Sequence, residues 1–161
     1  MKLIILSDIH SHSRALTYVR DKFGGKQSEY KFCILGDVVG YGPDPVGCLE
    51  ILKDLDDHGN IYRDEQGRPA MIGGNHEEAW FWCEEQGYAS RLKEMRNLSS
   101  QRQVEAIVRL VNNEILTAFS ASHSYYTNRY ALVPLLLNIA EMQREVPSAA
   151  IEWYRSIIRR N

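Results

Sequence analysis

The stretch KLIILSDIH, residues 2–10, joins a short apolar run directly to an aspartate and a histidine. The same arrangement recurs in KFCILGD, residues 31–37, and in PAMIGGNHE, residues 69–77. Runs of this length, rich in apolar and β-branched residues, are typical of buried strands. Open α/β sheets place their functional sites in the loops that follow the C-terminal ends of such strands. The three stretches therefore predict that one edge of an α/β sheet carries a site.

The polar residues at these strand ends are side chains that bind divalent ions. Asp8 and His10 are alternate residues leaving a strand, so their carboxylate and imidazole can reach one ion. Asp37 follows a glycine, which permits close backbone approach, and its two oxygens could bridge two cations. Asn75 offers an amide oxygen, whereas the adjacent His76 is placed to act on a substrate. Together these residues predict a metal site.

The fold class predicted for the chain is α/β, in a single domain covering residues 1–161. Residues 1–78 alternate strand and helix, which is the pattern of βαβ units. The apolar spacing predicts a first helix over residues 13–23. A second helix is expected to begin at Asp44, which suits an N-cap, and Pro45, which suits the first turn.

Residues 79–161 are predicted to be mainly helical. An amphipathic helix is expected after Ser99 or Ser100, and the apolar segment 131–142 predicts a buried or partner-covered helix beginning near Pro134. A final amphipathic helix is expected to contain residues 151–158, with Pro147 near its start. Only residues 115–119 resemble a late strand.

Composition narrows the range of partners and compartments. The 161 residues carry a formal charge of -2, with a pI near 6.2, so no long-range field attracts nucleic acid or an anionic membrane. The three cysteines are widely spaced without a C-x-x-C pair, which favours reduced thiols. The apolar run at the N-terminus is too short for a signal peptide. A soluble, cytoplasmic protein is expected, with neither membrane nor nucleic acid as a partner.

The order and type of the three motifs resemble the calcineurin-like metallophosphoesterase superfamily, whose pattern is D-x-H, then G-D, then G-N-H-[D/E], each after a strand. The loop GDVVGYGPDP, residues 36–45, is similar to the small bacterial and archaeal phosphatase and phosphodiesterase branch. The resemblance covers roughly the first half of the chain. It implies a calcineurin-like fold with a βαβαβ N-terminal half.

The resemblance also implies a role for each motif residue in a centre of up to two divalent ions, such as Mn, Fe or Zn. Asp8 and His10 would bind one ion, Asp37 would bridge, and Asn75 would bind the other. His76 would contact the phosphoryl oxygen or protonate the leaving group. The implied activity is hydrolysis of a phosphoester in a small molecule or a phosphoprotein.

The second half of the chain departs from the family pattern. The family continues with a further histidine and a Gly-His-x-His, but only His123 follows His76 here, and the strands of a second sheet are not evident. His123 is a candidate for the first of those later metal ligands. Two residues near the site are candidates for substrate binding: His12, a type of residue that at this position more often simply starts a helix, and Tyr41, which is equally a turn-packing residue.

These departures leave two hypotheses about function. The first is a metal-dependent phosphoester hydrolase. The second is a shortened relative with an incomplete metal site, whose atypical or truncated helical half has become a binding or assembly module. Without a second sheet, the apolar face of the first must be covered by helices or by another subunit, since large bare apolar patches are uncommon. Under the second hypothesis, a homo-oligomer is one of the two ways in which this face could be covered.

Overall fold

A computed structural model describes residues 1–123, 129–143 and 148–160 of the chain. Two strands and eight α-helices make up this part, and a π-helical turn at Val111–Ile115 joins the fifth helix to the sixth. In chain order the elements are β1 Lys2–Leu6, α1 Ser13–Phe23, β2 Tyr30–Ile34, α2 Pro45–Asp57, α3 Asn75–Glu85, α4 Tyr88–Met95, α5 Ser100–Leu110, α6 Leu116–Ser122, α7 Arg129–Met142 and α8 Ala149–Arg160.

The sheet is small and parallel. β1 and β2 pair from Lys2 opposite Tyr30 to Leu6 opposite Ile34. The third strand expected in residues 69–73 is not confirmed, because the chain meets β2 there only in an isolated bridge between Ile34 and Met71. Residue 61 forms a second such bridge with Phe32. The βαβαβ arrangement is therefore reduced to a βαβ unit followed by α2 and two single-residue pairings.

The first two helices begin where their sequence signals predict. The side chain of Asp44 accepts a hydrogen bond from the backbone N–H of Gly47 at 2.9 Å, and Pro45 occupies the first turn. Glycine at position 47 is explained by this cap, since an added Cβ would lie 2.1 Å from the Asp44 carboxylate. α2 thus starts on local interactions that the sequence encodes, whereas the N-cap residue of α1, His12, makes no side-chain capping hydrogen bond.

The second half is helical throughout its described residues, and two details of the prediction are wrong. Residues 115–119 form helix rather than strand. Val111, Ile115 and Phe119 are all buried and lie four residues apart, so they form one apolar face of a helix. The apolar helix begins at Arg129, so Pro134 lies inside it. Pro147 lies outside the described residues.

Helices of both halves share one apolar core. α2 packs against α1, α7 and α8. The fully buried rings of Trp80 and Tyr154 stack with their centroids 6.4 Å apart. The Arg155 guanidinium lies 5.3 Å from the centre of the Trp80 ring and forms an ion pair with Glu84 at 2.5 Å. α8 is therefore held to α3 by both apolar and charged contacts.

One face of the sheet remains exposed in the described part of the chain. Leu3 and Ile5 of β1 point away from the core, and the Ile5 side chain is 63% exposed. Leu35, directly after β2, and Ile72, next to the residue that bridges to β2, extend this apolar surface. The helices of the second half do not cover it. Within the described residues, no helix has both the length and the apolar content to cross a membrane.

The three cysteines should separate by reactivity. Burial raises the pKa of Cys48 and of Cys83 to about 12, so both thiols stay protonated near pH 8. Burial raises the pKa of Cys33 as well, but this thiol is only half-buried, beside Ile5 on the exposed face, so a reagent can reach it. We expect iodoacetamide at pH 8 to label Cys33 in the native protein and the other two only after denaturation, as measured by peptide mass. Rapid native labelling of Cys48 or Cys83 would contradict this packing.

Candidate metal centre

Three predicted ligands come together at the C-terminal end of the sheet. Ligand atoms of Asp8, His10 and Asp37 all lie within 4.8 Å of one another. β1 and β2 are adjacent and parallel, so the loops that follow them emerge side by side. His10 Nε2 lies 3.4 Å from a carboxylate oxygen of Asp8. Strand pairing therefore builds the group that the separate motifs predicted.

The backbone of these loops is strained. Among the residues that the structure describes, five other than glycine have positive φ, a region that costs free energy for residues with a Cβ. They are Asp8, His10, Ser11, Asp37 and Tyr41, with φ between 47° and 62°. All five lie in the two loops that carry the ligand group. Such strain concentrates at functional sites, and the surrounding structure must hold it in place.

Hydrogen bonds between the two loops hold this conformation. His10 N–H donates to the Asp37 carbonyl at 2.9 Å, and Ser11 N–H donates to the Val38 carbonyl at 2.8 Å. Asp8 N–H donates to the Gly36 carbonyl at 3.2 Å. The loops therefore form one unit, and the direction of each ligand depends on both.

The third motif approaches Asp37 closely through glycine. A Cβ added to Gly74 would lie 2.2 Å from Asp37 Oδ1, and one added to Gly36 would lie 2.5 Å from the nitrogen of Gly74. This proximity lets the backbone N–H of His76 donate to Asp37 Oδ1 at 3.0 Å. Asp37 is thereby fixed by the start of α3.

The Asn75 amide faces the two carboxylate oxygens of Asp37. One terminal atom of the amide lies 3.0 Å and 3.3 Å from them. A nitrogen in this position donates to Asp37, whereas an oxygen there is stabilised only by a cation between the groups. The same side chain can thus satisfy Asp37 directly or bind an ion together with it.

The donor set fits a divalent cation. Two carboxylates, an imidazole and an amide oxygen match hard or borderline ions. His10 Nδ1 is buried and has no hydrogen-bond partner among the described residues, while Nε2 faces Asp8. Nε2 is therefore the ring nitrogen placed to share an ion with Asp8, and the buried Nδ1 is a second polar atom that the described residues leave unsatisfied. The residues present therefore fit the metal that the family resemblance implies.

His76 lies buried beside this group, in the first turn of α3. Its ring centroid is 4.6 Å from that of His10. Burial lowers the pKa of His76 below its ordinary value, although the negative charge of Asp37 opposes this effect. The ring is therefore neutral near pH 7 and can donate one N–H without carrying charge.

The two predicted substrate residues have different surroundings. The Tyr41 side chain is about half-exposed, and its ring centroid lies 4.9 Å from each of His10 and His76. His12 is the exposed N-cap residue of α1 and borders, with Asp8, a pocket of about 300 Å³. Tyr41 thus contacts the site directly, whereas His12 lies at its margin, and substrate binding by either stays a prediction.

His123 lies outside the ligand group. Its Nε2 is 3.2 Å from a carboxylate oxygen of Glu78, and its ring stacks on Phe119 with centroids 4.2 Å apart. It therefore follows α6 as part of a helix-packing contact. A metal-binding role for His123 stays a prediction, and the geometry of the described residues gives it no support.

Glu77 is a residue of the site to which sequence reasoning gave no role. One carboxylate oxygen accepts the N–H groups of Asp37 at 3.0 Å and Gly74 at 3.1 Å. The other accepts Val38 N–H and the Tyr154 hydroxyl, each at 2.7 Å. Burial raises the pKa of Glu77, and these hydrogen bonds oppose the rise. Its position directly after Asn75-His76 was the available signal.

The fold and the site together define an α/β protein with a group of side chains that could hold a metal ion at the end of a parallel sheet. The family model described as calcineurin-like phosphoesterase matches residues 1–156. The chain therefore belongs to the calcineurin-like phosphoesterase family, whose chemistry is metal-dependent phosphoester hydrolysis. The match extends well beyond the first half, where the resemblance of the motifs ended.

Part of the chain is similar in sequence to an uncharacterized protein of Methanocaldococcus jannaschii. It is 42% identical over 53 residues, which are 33% of this chain and 21% of the relative. The aligned part of the chain therefore spans about a fifth of that protein's length. No solved structure matches the chain significantly.

Proposed function

We propose that this chain is a metal-dependent phosphoester hydrolase. The observation that carries the proposal is the meeting of Asp8, His10 and Asp37 within 4.8 Å, with His76 beside them. Chelating side chains on two strained, mutually bonded loops are expected where a site has been built for function. Family membership supplies the reaction class.

The residues divide into ion-binding and substrate-contacting roles. Asp8, His10 and Asp37 would hold one divalent ion, and Asn75 with Asp37 would hold a second. Bound divalent ions supply charge neutralisation at phosphoryl oxygens and a water of lowered pKa for in-line attack. Mixed nitrogen and oxygen ligands do not select among Mn, Fe and Zn, so availability decides.

His76 is proposed to contact the phosphoryl group. Because its pKa is lowered by burial, the neutral ring would donate a hydrogen bond to a phosphoryl oxygen at neutral pH. Protonation of the leaving group requires the charged ring, which burial disfavours. Contact with a phosphoryl oxygen is therefore favoured over protonation of the leaving group as the role of His76.

A hydrolysis assay with metal analysis tests this proposal. We expect purified protein to bind Mn²⁺ and to hydrolyse an aryl phosphate monoester or diester. His76→Ala should lower kcat by about 10²- to 10⁴-fold, since it removes a group that acts on the reacting phosphoryl. His58→Ala, at the exposed end of α2, is the matched control and should retain wild-type turnover. Absence of both bound metal and turnover in the wild type would refute the enzyme proposal.

The exposed sheet face favours assembly as a second candidate function. Leu3, Ile5, Leu35 and Ile72 form an apolar surface that a second copy of this chain would cover. We expect light scattering to give a dimer mass for the wild type and the monomer mass for Ile5→Lys. Lys31→Glu, on the same face, changes the charge without changing an apolar side chain, and it serves as the control. A wild-type monomer at all concentrations would exclude this homodimer.

The proposed partners and compartment follow from the same residues. The substrate is a phosphoester of a small molecule or a phosphoprotein, because nothing in the charge distribution attracts nucleic acid or a membrane. Three free cysteines favour a reducing compartment, for which the cytoplasm is proposed.

A further inference from the structure

Asn138 is a buried polar residue on α7, the helix whose sequence is otherwise almost entirely apolar. Its amide oxygen accepts hydrogen bonds from Gly40 N–H, at 2.8 Å, and from the Ser11 hydroxyl. Its amide nitrogen donates to the Gly42 carbonyl at 2.9 Å. One side chain of the helical half therefore binds both of the loops that carry the predicted ligands.

The two backbone groups that Asn138 binds lie on either side of Tyr41. The backbone of Tyr41 has φ of 54°, which is unfavourable for a residue with a Cβ. The contacts with Gly40 N–H and Gly42 C=O fix the peptide groups 39–40 and 42–43, each one position removed from Tyr41. The amide of Asn138 thus offsets the strain that places the Tyr41 ring 4.9 Å from both histidine rings.

The position of Gly40 makes the contact of Tyr41 with the two histidine rings sensitive to small movements of its loop. A Cβ added to Gly40 would lie 1.8 Å from Nδ1 of His76, so the loop passes directly against the imidazole. Gly42 N–H donates to the His10 carbonyl at 2.9 Å, which ties the other side of Tyr41 to the first loop. A shift of this loop would therefore move Tyr41 relative to both His10 and His76.

We propose that Asn138 is a positioning residue that holds Tyr41 against His10 and His76 and thereby sets the affinity of the site for substrate. The part of this inference that concerns substrate rests on the hydrolase function proposed above. The part that concerns the placement of Tyr41 does not. A buried amide with three satisfied hydrogen bonds is well suited to this role, because each bond is directional and water cannot replace it.

The ring protons of His10 and His76 report the placement of Tyr41 by NMR without any turnover. Their signals are assigned by omission in His10→Gln and His76→Gln. In Tyr41→Ala both signals should shift, since a ring 4.9 Å away is lost. Asn138→Ala should shift them in the same direction, and Ile139→Val should leave them in place. The latter variant removes only a buried methyl group from the neighbouring position of the same helix.

Kinetics with an aryl phosphate and Mn²⁺ then test the effect on substrate. Asn138→Ala and Tyr41→Ala should each raise KM about tenfold with kcat nearly unchanged, and the double variant should be no worse than Tyr41→Ala. If Asn138→Ala does not fold, Asn138→Asp keeps the acceptor contacts and replaces the donor to Gly42 by a carboxylate oxygen that the carbonyl repels. It should then give shifts of the histidine signals in the same direction.

Three outcomes distinguish the possibilities. Unshifted histidine signals in the folded Asn138 variant would overturn the positioning role. Additive KM effects in the double variant would overturn the coupling to Tyr41. If the histidine signals shift in the Asn138 and Tyr41 variants but the wild type shows no turnover, the hydrolase proposal is refuted and the placement of Tyr41 is supported.

Discussion

Asp37→Ala is expected to abolish productive metal binding. Asp37 is the one residue of the group that is also within 3.0 Å of both the Asn75 amide and the His76 backbone N–H. We expect Mn²⁺ affinity, measured by calorimetry, to fall by well over about 100-fold. Loss of a residue that merely supports a ligand typically costs roughly 10- to 100-fold. Turnover of an aryl phosphate should fall below detection.

Two further variants make the Asp37 result specific. Asp37→Asn keeps the size of the side chain and an acceptor for His76 N–H, so it separates loss of charge from loss of packing. Asp57→Ala removes an exposed carboxylate at the end of α2 and should retain wild-type affinity. Retention of Mn²⁺ binding by Asp37→Ala would show that the ion binds elsewhere in the protein.

Glu77→Ala is expected to give the largest loss of stability. The substitution leaves the N–H groups of Asp37, Val38 and Gly74, together with the Tyr154 hydroxyl, without their acceptor. Each buried donor left without an acceptor costs about 1–3 kcal/mol, so the four together are expected to cost more than about 3 kcal/mol. For a chain of this length, that corresponds to a fall in melting temperature of roughly 10 °C, measurable by circular dichroism.

Graded variants separate the network from the carboxylate. Tyr154→Phe removes only one of the four donors and should cost about 1.5–3 kcal/mol, since that bond is made to a charged group. Glu85→Gln, at the exposed end of the same helix, should melt with the wild type. A wild-type melting temperature for Glu77→Ala would mean that water replaces these contacts and that α8 does not support the ligand loops.

The helical half makes specific contacts with the part of the chain that carries the predicted ligands. Asn138 on α7 binds a loop that carries predicted ligands, and Tyr154 on α8 binds Glu77, which in turn accepts the N–H groups of Asp37 and Val38. The hypothesis that this half became only a binding or assembly surface leaves those contacts without a purpose. The apolar face available for assembly belongs instead to the sheet, at Leu3 and Ile5.

Much of the first half could be predicted from local sequence. Asp44 and Pro45 start α2 because an N-cap and a first-turn proline act within one turn of helix. Residues 115–119 were misread, because β-branched and aromatic composition favours strand while burial every four residues favours helix. Packing against neighbouring helices decided between the two.

The sequence alone determined which side chains can bind a metal and where on the sheet they lie, because Asp8, His10, Asp37 and Asn75 each follow a recognisable local signal. Only the tertiary structure decided how the site is held. The positive φ of Asp8, Asp37 and Tyr41 is unfavourable locally, and partners far along the chain maintain it. Asn138 binds Gly40 from 98 residues away, and Tyr154 binds Glu77 from 77. Contacts of that separation depend on the whole fold and leave no periodic trace in the sequence.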